Sequence, residues 1–221
     1  MKITRLLSAT QSHKYLLFFA ALHLLLLPIA FAERGRLELP FNLFVAPELF
    51  PIFNVITFLS DGWFTLVIFG LIWVIAAKKK LFIKSELIHF LIVSLLMGVG
   101  IYVLKQLIFS DVIRPIAYFT PLPQGWNPDD FPLTFHRFCS FPSGHSASAA
   151  TFGFFLMRYV QQPYKRILLY AAILVLGYTR VYLFQHFVAD VFAGVLFGLI
   201  CVWGGDLISS RIFHKNRKEI E

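Results

Sequence analysis

Three short stretches of this chain carry side chains suited to work on an anion. Lys105 is followed nine residues later by Arg114-Pro115, the run Pro142-Ser143-Gly144-His145 comes next, and Arg180, His186 and Asp190 close the series. Lys105, Arg114 and Arg180 can neutralise a phosphate, the arginines with paired donors. The second stretch reads as a helix start, where free backbone N–H groups and the positive dipole end bind anions. Gly144 lets the backbone approach closely, and Ser143 is expected to serve both as the cap and as a phosphate donor. His186 and Asp190 are four residues apart, about one helical turn, so the carboxylate can hold the imidazole tautomer and stabilise its cationic form. These types suit phosphate chemistry.

The elements that must position them are membrane helices. Of 221 residues, 58% are hydrophobic and only 14% charged, with a mean hydropathy of +0.72. An ordinary soluble domain carries about 25% charged residues, and a disordered chain is far more polar. Six apolar segments, near 15–32, 53–77, 86–109, 144–160, 167–184 and 187–209, are each close to the ~20 residues that span the hydrocarbon core. Without water to satisfy the backbone they must be helices. The expected fold is all-α, a six-transmembrane-helix bundle forming a single integral-membrane domain over 1–221, with a catalytic core over 100–195. The outer loop, 110–143, holds six of the eleven prolines, which exclude long helices and central strands.

The charge fixes the orientation. Lys+Arg number 20 against 12 Asp+Glu, a formal +8. The segments before span one, between two and three, between four and five and after six hold fourteen of those cations, and four of the acids (Glu86, Asp206, Glu219 and Glu221) fall on the same side. The opposite side holds six cations against eight acids. By the positive-inside rule the first side is the cytoplasm, with both termini there, and Lys105, Arg114, His145, Arg180, His186 and Asp190 gather near the outer interface. The basic balance is then a topology signal, which leaves the bilayer and a phosphorylated lipid as partners and removes nucleic acid. The first span ends Ala30-Phe31-Ala32, a signal-peptidase-like site after an apolar run, but its length and the spans behind it favour a retained helix. Cys139 and Cys201 show no spacing for zinc or a disulfide framework.

In this order and with these spacings the stretches resemble the type 2 phosphatidic acid phosphatase (PAP2) superfamily, which also includes vanadium haloperoxidases. The resemblance covers roughly spans three to six, and it implies a six-helix membrane bundle. It also implies roles: His186 attacks phosphorus and forms a phosphohistidine, Asp190 orients His186, and His145 protonates the leaving oxygen and then activates water. Lys105, Arg114, Ser143, Gly144 and Arg180 hold the phosphoryl oxygens, with no cofactor or metal needed. The implied enzyme is a metal-independent lipid phosphatase at the outer leaflet, in a bacterial inner membrane with its site facing the periplasm or cell exterior. Candidate substrates are undecaprenyl pyrophosphate, phosphatidylglycerophosphate, phosphatidic acid and lipid A phosphates. The sequence departs from the family pattern at two points. Eight residues instead of six separate Lys105 from Arg114, so the helix must end near Ser110 for Lys105 to reach the site. Thr179 precedes Arg180 where a serine is usual.

Other readings compete. A lipid phosphotransferase could use the same site, and a non-catalytic lipid transporter or binder would tolerate loss of His186. His145, His186 and Asp190 match a two-histidine, one-carboxylate metal set, but three nearby cations oppose a divalent ion. Ser146 lacks the second glycine of a serine-hydrolase elbow. Asp61, inside span two, is either a buried hydrogen-bonded acid or part of the site. His23 and His89 read as packing residues. His136 and Arg137 either touch substrate or face water, with water favoured. Phe41, Phe44, Phe50 and Trp126 read as interfacial anchors.

Overall fold

Proline and aspartate set the first breaks in the chain. The computed structural model describes residues 9–37, 49–78, 84–122, 127, 129 and 134–218, which among themselves form helices and turns and no strand. α1 (Ala9–Leu24) stops short of the expected end of span one. Pro28 has no N–H and its ring clashes with the carbonyl four residues back, that of Leu24, so the run resumes only as the short α2 (Leu27–Ala30). Span two is likewise divided into α3 (Phe50–Phe58) and α4 (Gly62–Lys78), bent by 52°. There Ser60 Oγ donates to Thr57 O and Thr65 Oγ1 to Asp61 O, while Asp61 Oδ1 accepts from the N–H groups of Trp63 and Phe64. Short polar side chains thus replace backbone partners and end one helix as they cap the next.

The remaining elements match the apolar runs closely. α5 (Lys84–Tyr102) continues as a π-helix over Val103–Ile108. α6 (Pro115–Tyr118) is a single turn in the outer loop. α7 (Gly144–Leu156) ends in a 3₁₀ turn, Met157–Tyr159. α8 spans Pro163–Tyr182 and α9 Val188–Lys218. Among the described residues, Ser85–Ile108 (mean hydropathy 2.4) and Val188–Ile212 (2.0) are each long and apolar enough to cross a membrane, and α3 with α4 makes a third if the bent pair is one span. Large apolar side chains such as Val55, Trp63, Leu95 and Leu107 are exposed, as hydrocarbon contact requires. The anchors Phe41, Phe44 and Trp126 lie outside the described residues.

α7 sits at the centre, and its contact with α9 is the most extensive of any helix pair. The reason lies in Gly194 and Gly198, one turn apart on α9. A Cβ at Gly198 would come within 2.6–2.8 Å of Ala147 O, Ala150 Cβ and Thr151 N, and one at Gly194 would meet Ser143 O. The two backbones touch, as small residues spaced by four permit. Around this pair Phe19, Phe90, Phe152, Phe154 and Phe155 form an aromatic core. His23 is buried within it, its Nδ1 3.0 Å from Tyr170 Oη and its Nε2 3.0 Å from Phe192 O, the packing role expected for it.

His89 packs edge-on against the Phe155 ring and also meets charge. Its Nε2 lies 3.1 Å from Asp206 Oδ1. Arg158 Nη1 meets the same oxygen, its Nη2 stands 3.9 Å from Glu86 Oε1, and Tyr159 Oη donates to Glu86 Oε2. This buried network ties α5, α7 and α9 at the end of the bundle opposite the motifs.

Candidate active site

The first turn of α7 is built by its cap. Ser143 Oγ accepts from Ser146 N (3.4 Å) and Ser146 Oγ (2.9 Å), and Ser143 N donates to Asp190 O at 2.9 Å. Two of the N–H groups that a helix start leaves open are thereby used. The other two belong to Gly144 and His145, which line a cavity of about 530 Å³, within the range of small-molecule sites.

Six of the eight sequence-derived site residues line that cavity: Lys105, Arg114, Gly144, His145, Arg180 and His186. They arrive from five elements: the π-helix, the outer loop, α7, the last turn of α8 and the turn before α9. Ser143 and Asp190 are fully buried beside it. Ser143 is thus a cap beneath the lining, its hydroxyl engaged with Ser146.

The outer loop grips Arg114. The guanidinium donates from Nε to Phe138 O (2.9 Å), from Nη2 to Cys139 O (3.4 Å), and from Nη1 to Gln185 O (3.3 Å) and Oε1 (3.1 Å). Its main-chain N–H donates to Arg137 O at 2.9 Å. On the other side of the cavity Arg180 Nη1 donates to Thr57 Oγ1 at 3.0 Å. Both arginines are 7% exposed, so their orientation is set before any ligand arrives.

His186 and Asp190 form the expected pair, with Nδ1 3.4 Å from Oδ2. The same Oδ2 accepts from Ser140 Oγ at 2.5 Å and from Phe187 N at 3.0 Å. Burial holds the His186 imidazole well below its usual 6.5, and Arg114, Lys105 and Arg180 push it in the same direction. A neutral imidazole at pH 7, with a carboxylate behind Nδ1, has its Nε2 lone pair available as a nucleophile. Two non-glycine residues with positive φ flank these groups, Cys139 (56°) next to Ser140 and Phe184 (56°) shortly before His186. Both are costly conformations for L-residues, and here each starts a segment that delivers a site side chain.

Asp61 does not line the cavity but stands beside one of its lining residues. Its Oδ2 lies 3.7 Å from His145 Nε2. His136 is exposed yet lines the cavity, and Arg137 contributes its carbonyl to the Arg114 main-chain N–H. The structure adds residues that sequence reasoning passed over: Ser140, Gln185, Thr57 and Asn54. Each is an ordinary polar residue with no period or motif to mark it. Among the described residues no group of three or more His, Cys, Asp or Glu is arranged to hold a metal.

The chain is similar to known proteins over this region. Residues 86–218 match the family model described as the PAP2 superfamily. Phosphatidylglycerophosphatase B of Bacillus subtilis (strain 168) is 37% identical over 82 residues, 33% of this chain, and the match spans 40% of that relative's length. The crystal structure of Aquifex aeolicus LpxE shares 29% identity, with a TM-score of 0.59 over 82% of this chain and 96% of that one. A Bacillus subtilis transmembrane PAP2-type phosphatidylglycerolphosphate phosphatase shares 24% identity, with a TM-score of 0.59 over 92% of this chain and 96% of that one, a likeness of fold.

Proposed function

Since this chain belongs to the PAP2 superfamily, we propose that it is an integral-membrane lipid phosphatase working through a phosphohistidine. The observation that carries this reading is the buried His186–Asp190 pair at a cavity into which three cations converge from three separate elements. His186 Nε2 bonds to phosphorus. The bond to the lipid oxygen breaks, its electron pair stays on that oxygen, and His145 supplies the proton. Lys105, Arg114 and Arg180, with the N–H groups of Gly144 and His145, hold the phosphoryl oxygens as charge shifts, while Ser143 fixes the helix start that presents them. Water then attacks phosphorus, His145 takes a proton from it, and the N–P electron pair returns to His186.

In this reading the chain is one six-span unit with both termini in the cytoplasm, and the site faces outward at the outer leaflet of a bacterial inner membrane. Lipid tails remain in the bilayer while the headgroup enters the cavity. A phosphate monoester such as phosphatidylglycerophosphate leads the candidates, because relatives carry that name, and a pyrophosphate on a polyprenol is the other class. The cationic lining disfavours a divalent ion, so activity persists in EDTA.

The test is an acid- or base-quenched incubation of purified protein with phosphatidylglycerophosphate radiolabelled in its terminal phosphate. Base-stable, acid-labile label on wild-type protein is expected, with none on His186→Ala and at least a ~10³-fold loss of turnover. Labelled water must appear in the released phosphate. Its absence would favour phosphoryl transfer to a second lipid, and full activity of His186→Ala would sink the mechanism.

A further inference from the structure

Asp61 belongs to neither of the two stretches that carry the acid and the nucleophile, yet it stands against the acid. It lies at the 52° break between α3 and α4. Oδ1 is occupied by the N–H groups of Trp63 (3.0 Å) and Phe64 (3.2 Å), which leaves Oδ2 facing His145 Nε2 at 3.7 Å. The Asp61 and His145 side chains are 34% and 30% exposed, and His145 lines the cavity. The backbone bonds fix the carboxylate, and the break in the helix brings it to α7.

Lining the same cavity as His145 are the charged or titratable groups Lys105 from the π-helix, Arg114 and His136 from the outer loop, Arg180 from α8 and His186 from the turn before α9. The three cations oppose a positive charge on the His145 ring. Among the described residues no carboxylate lines the cavity, and Asp190 sits behind His186. Yet a lipid alkoxide is a poor leaving group, and the residue that assists it must carry a proton when the P–O bond breaks. Among the described residues Asp61 supplies the negative charge that faces the ring, at 3.7 Å. With Nε2 turned to Asp61, Nδ1 is the nitrogen that meets the leaving oxygen, the division of labour by which a carboxylate orients a catalytic imidazole.

We propose that Asp61 is the positioning residue of the general acid: it orients His145 and stabilises the protonated ring that donates to the departing lipid oxygen. This rests on the phosphatase reading above. The step balances, since the P–O electron pair and the His145 proton both end on the lipid hydroxyl and His145 is left neutral, ready to accept a proton from water.

Asp61→Asn isolates the charge, because asparagine caps a helix about as well as aspartate. Purified full-length wild type, Asp61→Asn and Asp61→Glu in detergent are assayed for kcat/KM from pH 5 to 9. The substrates are phosphatidylglycerophosphate, whose alkoxide needs a proton, and p-nitrophenyl phosphate, whose phenolate leaves without one. Asp61→Asn should lose about 100-fold on the lipid and less than about 3-fold on the nitrophenyl ester. The alkaline limb of its lipid profile should move to lower pH, and Asp61→Glu should recover part of both. Equal losses on the two substrates, or a lipid profile with an unmoved limb, would overturn the inference and leave Asp61 a helix cap. A thermal melt of each variant separates a folding defect, which would depress both substrates together. Wild type that releases phosphate from neither substrate would instead refute the phosphatase reading, a different result.

Discussion

Replacing Gly194 by alanine tests whether backbone contact between α7 and α9 sets the geometry of the site. A Cβ there would run into Ser143 O and would stand 3.0 Å from Ser146 Cβ and 3.2 Å from Ala147 N. Carbon and carbonyl oxygen prefer about 3.3–3.6 Å, and the obstacle is backbone, so the first turn of α7 must move from α9 by roughly 1 Å. That turn carries Gly144 and His145, and Ser143 N is bonded to Asp190 O, so the movement separates the proposed phosphate cradle from the proposed nucleophile pair. Overpacking costs about 1–3 kcal/mol, against a helix-propensity gain of up to about 1 kcal/mol for alanine over glycine. A misplacement of ~1 Å costs on the order of 100-fold in rate. The assay is phosphate release from phosphatidylglycerophosphate in micelles, paired with a thermal melt. Gly98→Ala is the control, because no atom lies within 4 Å of its added Cβ. It should keep full activity with an equal or higher Tm. Gly194→Ala at wild-type rate and wild-type Tm would show that this contact does not position the site.

Two further substitutions probe the charges. Lys105→Met removes one of the cations that hold the His186 imidazole down. The proposed mechanism needs neutral His186, so activity falls as pH drops through that group's pKa; with a cation gone the imidazolium is less opposed, and the acid limb of kcat/KM should move up in pH while the rate at pH 7 falls about 10²-fold. An unmoved limb would mean that Lys105 does not act on His186. Arg158→Leu strips the counter-charge from Asp206 and Glu86, which are 5% and 8% exposed. Breaking a buried pair costs about 3–5 kcal/mol, so Tm should fall by several degrees while the folded fraction keeps its kcat, because the network lies at the far end of the bundle.

What the sequence made legible was whatever depends on one helix at a time. The apolar runs near 86–109 and 187–209 reappear as the long helices, and Ser143 caps α7 as its type and place require. What escaped was whatever depends on two elements meeting. Asp61 could be flagged as an intramembrane acid, but its partner, His145, is on another helix. Ser140 reaches Asp190 only because the outer loop folds back, with Ser140 N donating to Val112 O at 3.0 Å. Gly194 and Gly198 are written plainly at a spacing of four, yet only packing tells which helix they admit. Glu86, Arg158 and Asp206 entered the topology count as cytoplasmic-side charges, whereas burial makes them a tie between helices. The breaks at Leu25–Leu26 and Ser60–Asp61 lie inside segments that are apolar on average, so a count of apolar residues passes over them.

Lys105 shows how a site can be kept when a spacing is not. Two extra residues on an unbroken α-helix would turn its side chain by about 200° from the cavity. The chain absorbs them in two ways. Around Lys105 the helix widens to a π-turn, with Phe109 N donating to Leu104 O, five residues back, at 2.8 Å. It then leaves the helix at Phe109 and turns through Ser110 and Asp111 before Arg114 is caught by Arg137 O. Neither device changes a residue that faces the cavity. The spacing of such a motif therefore describes the helix between its residues, and a change of pitch there compensates for a change in count. This accounts for Lys105 and Arg114 lining one cavity although the interval between them differs from the family pattern.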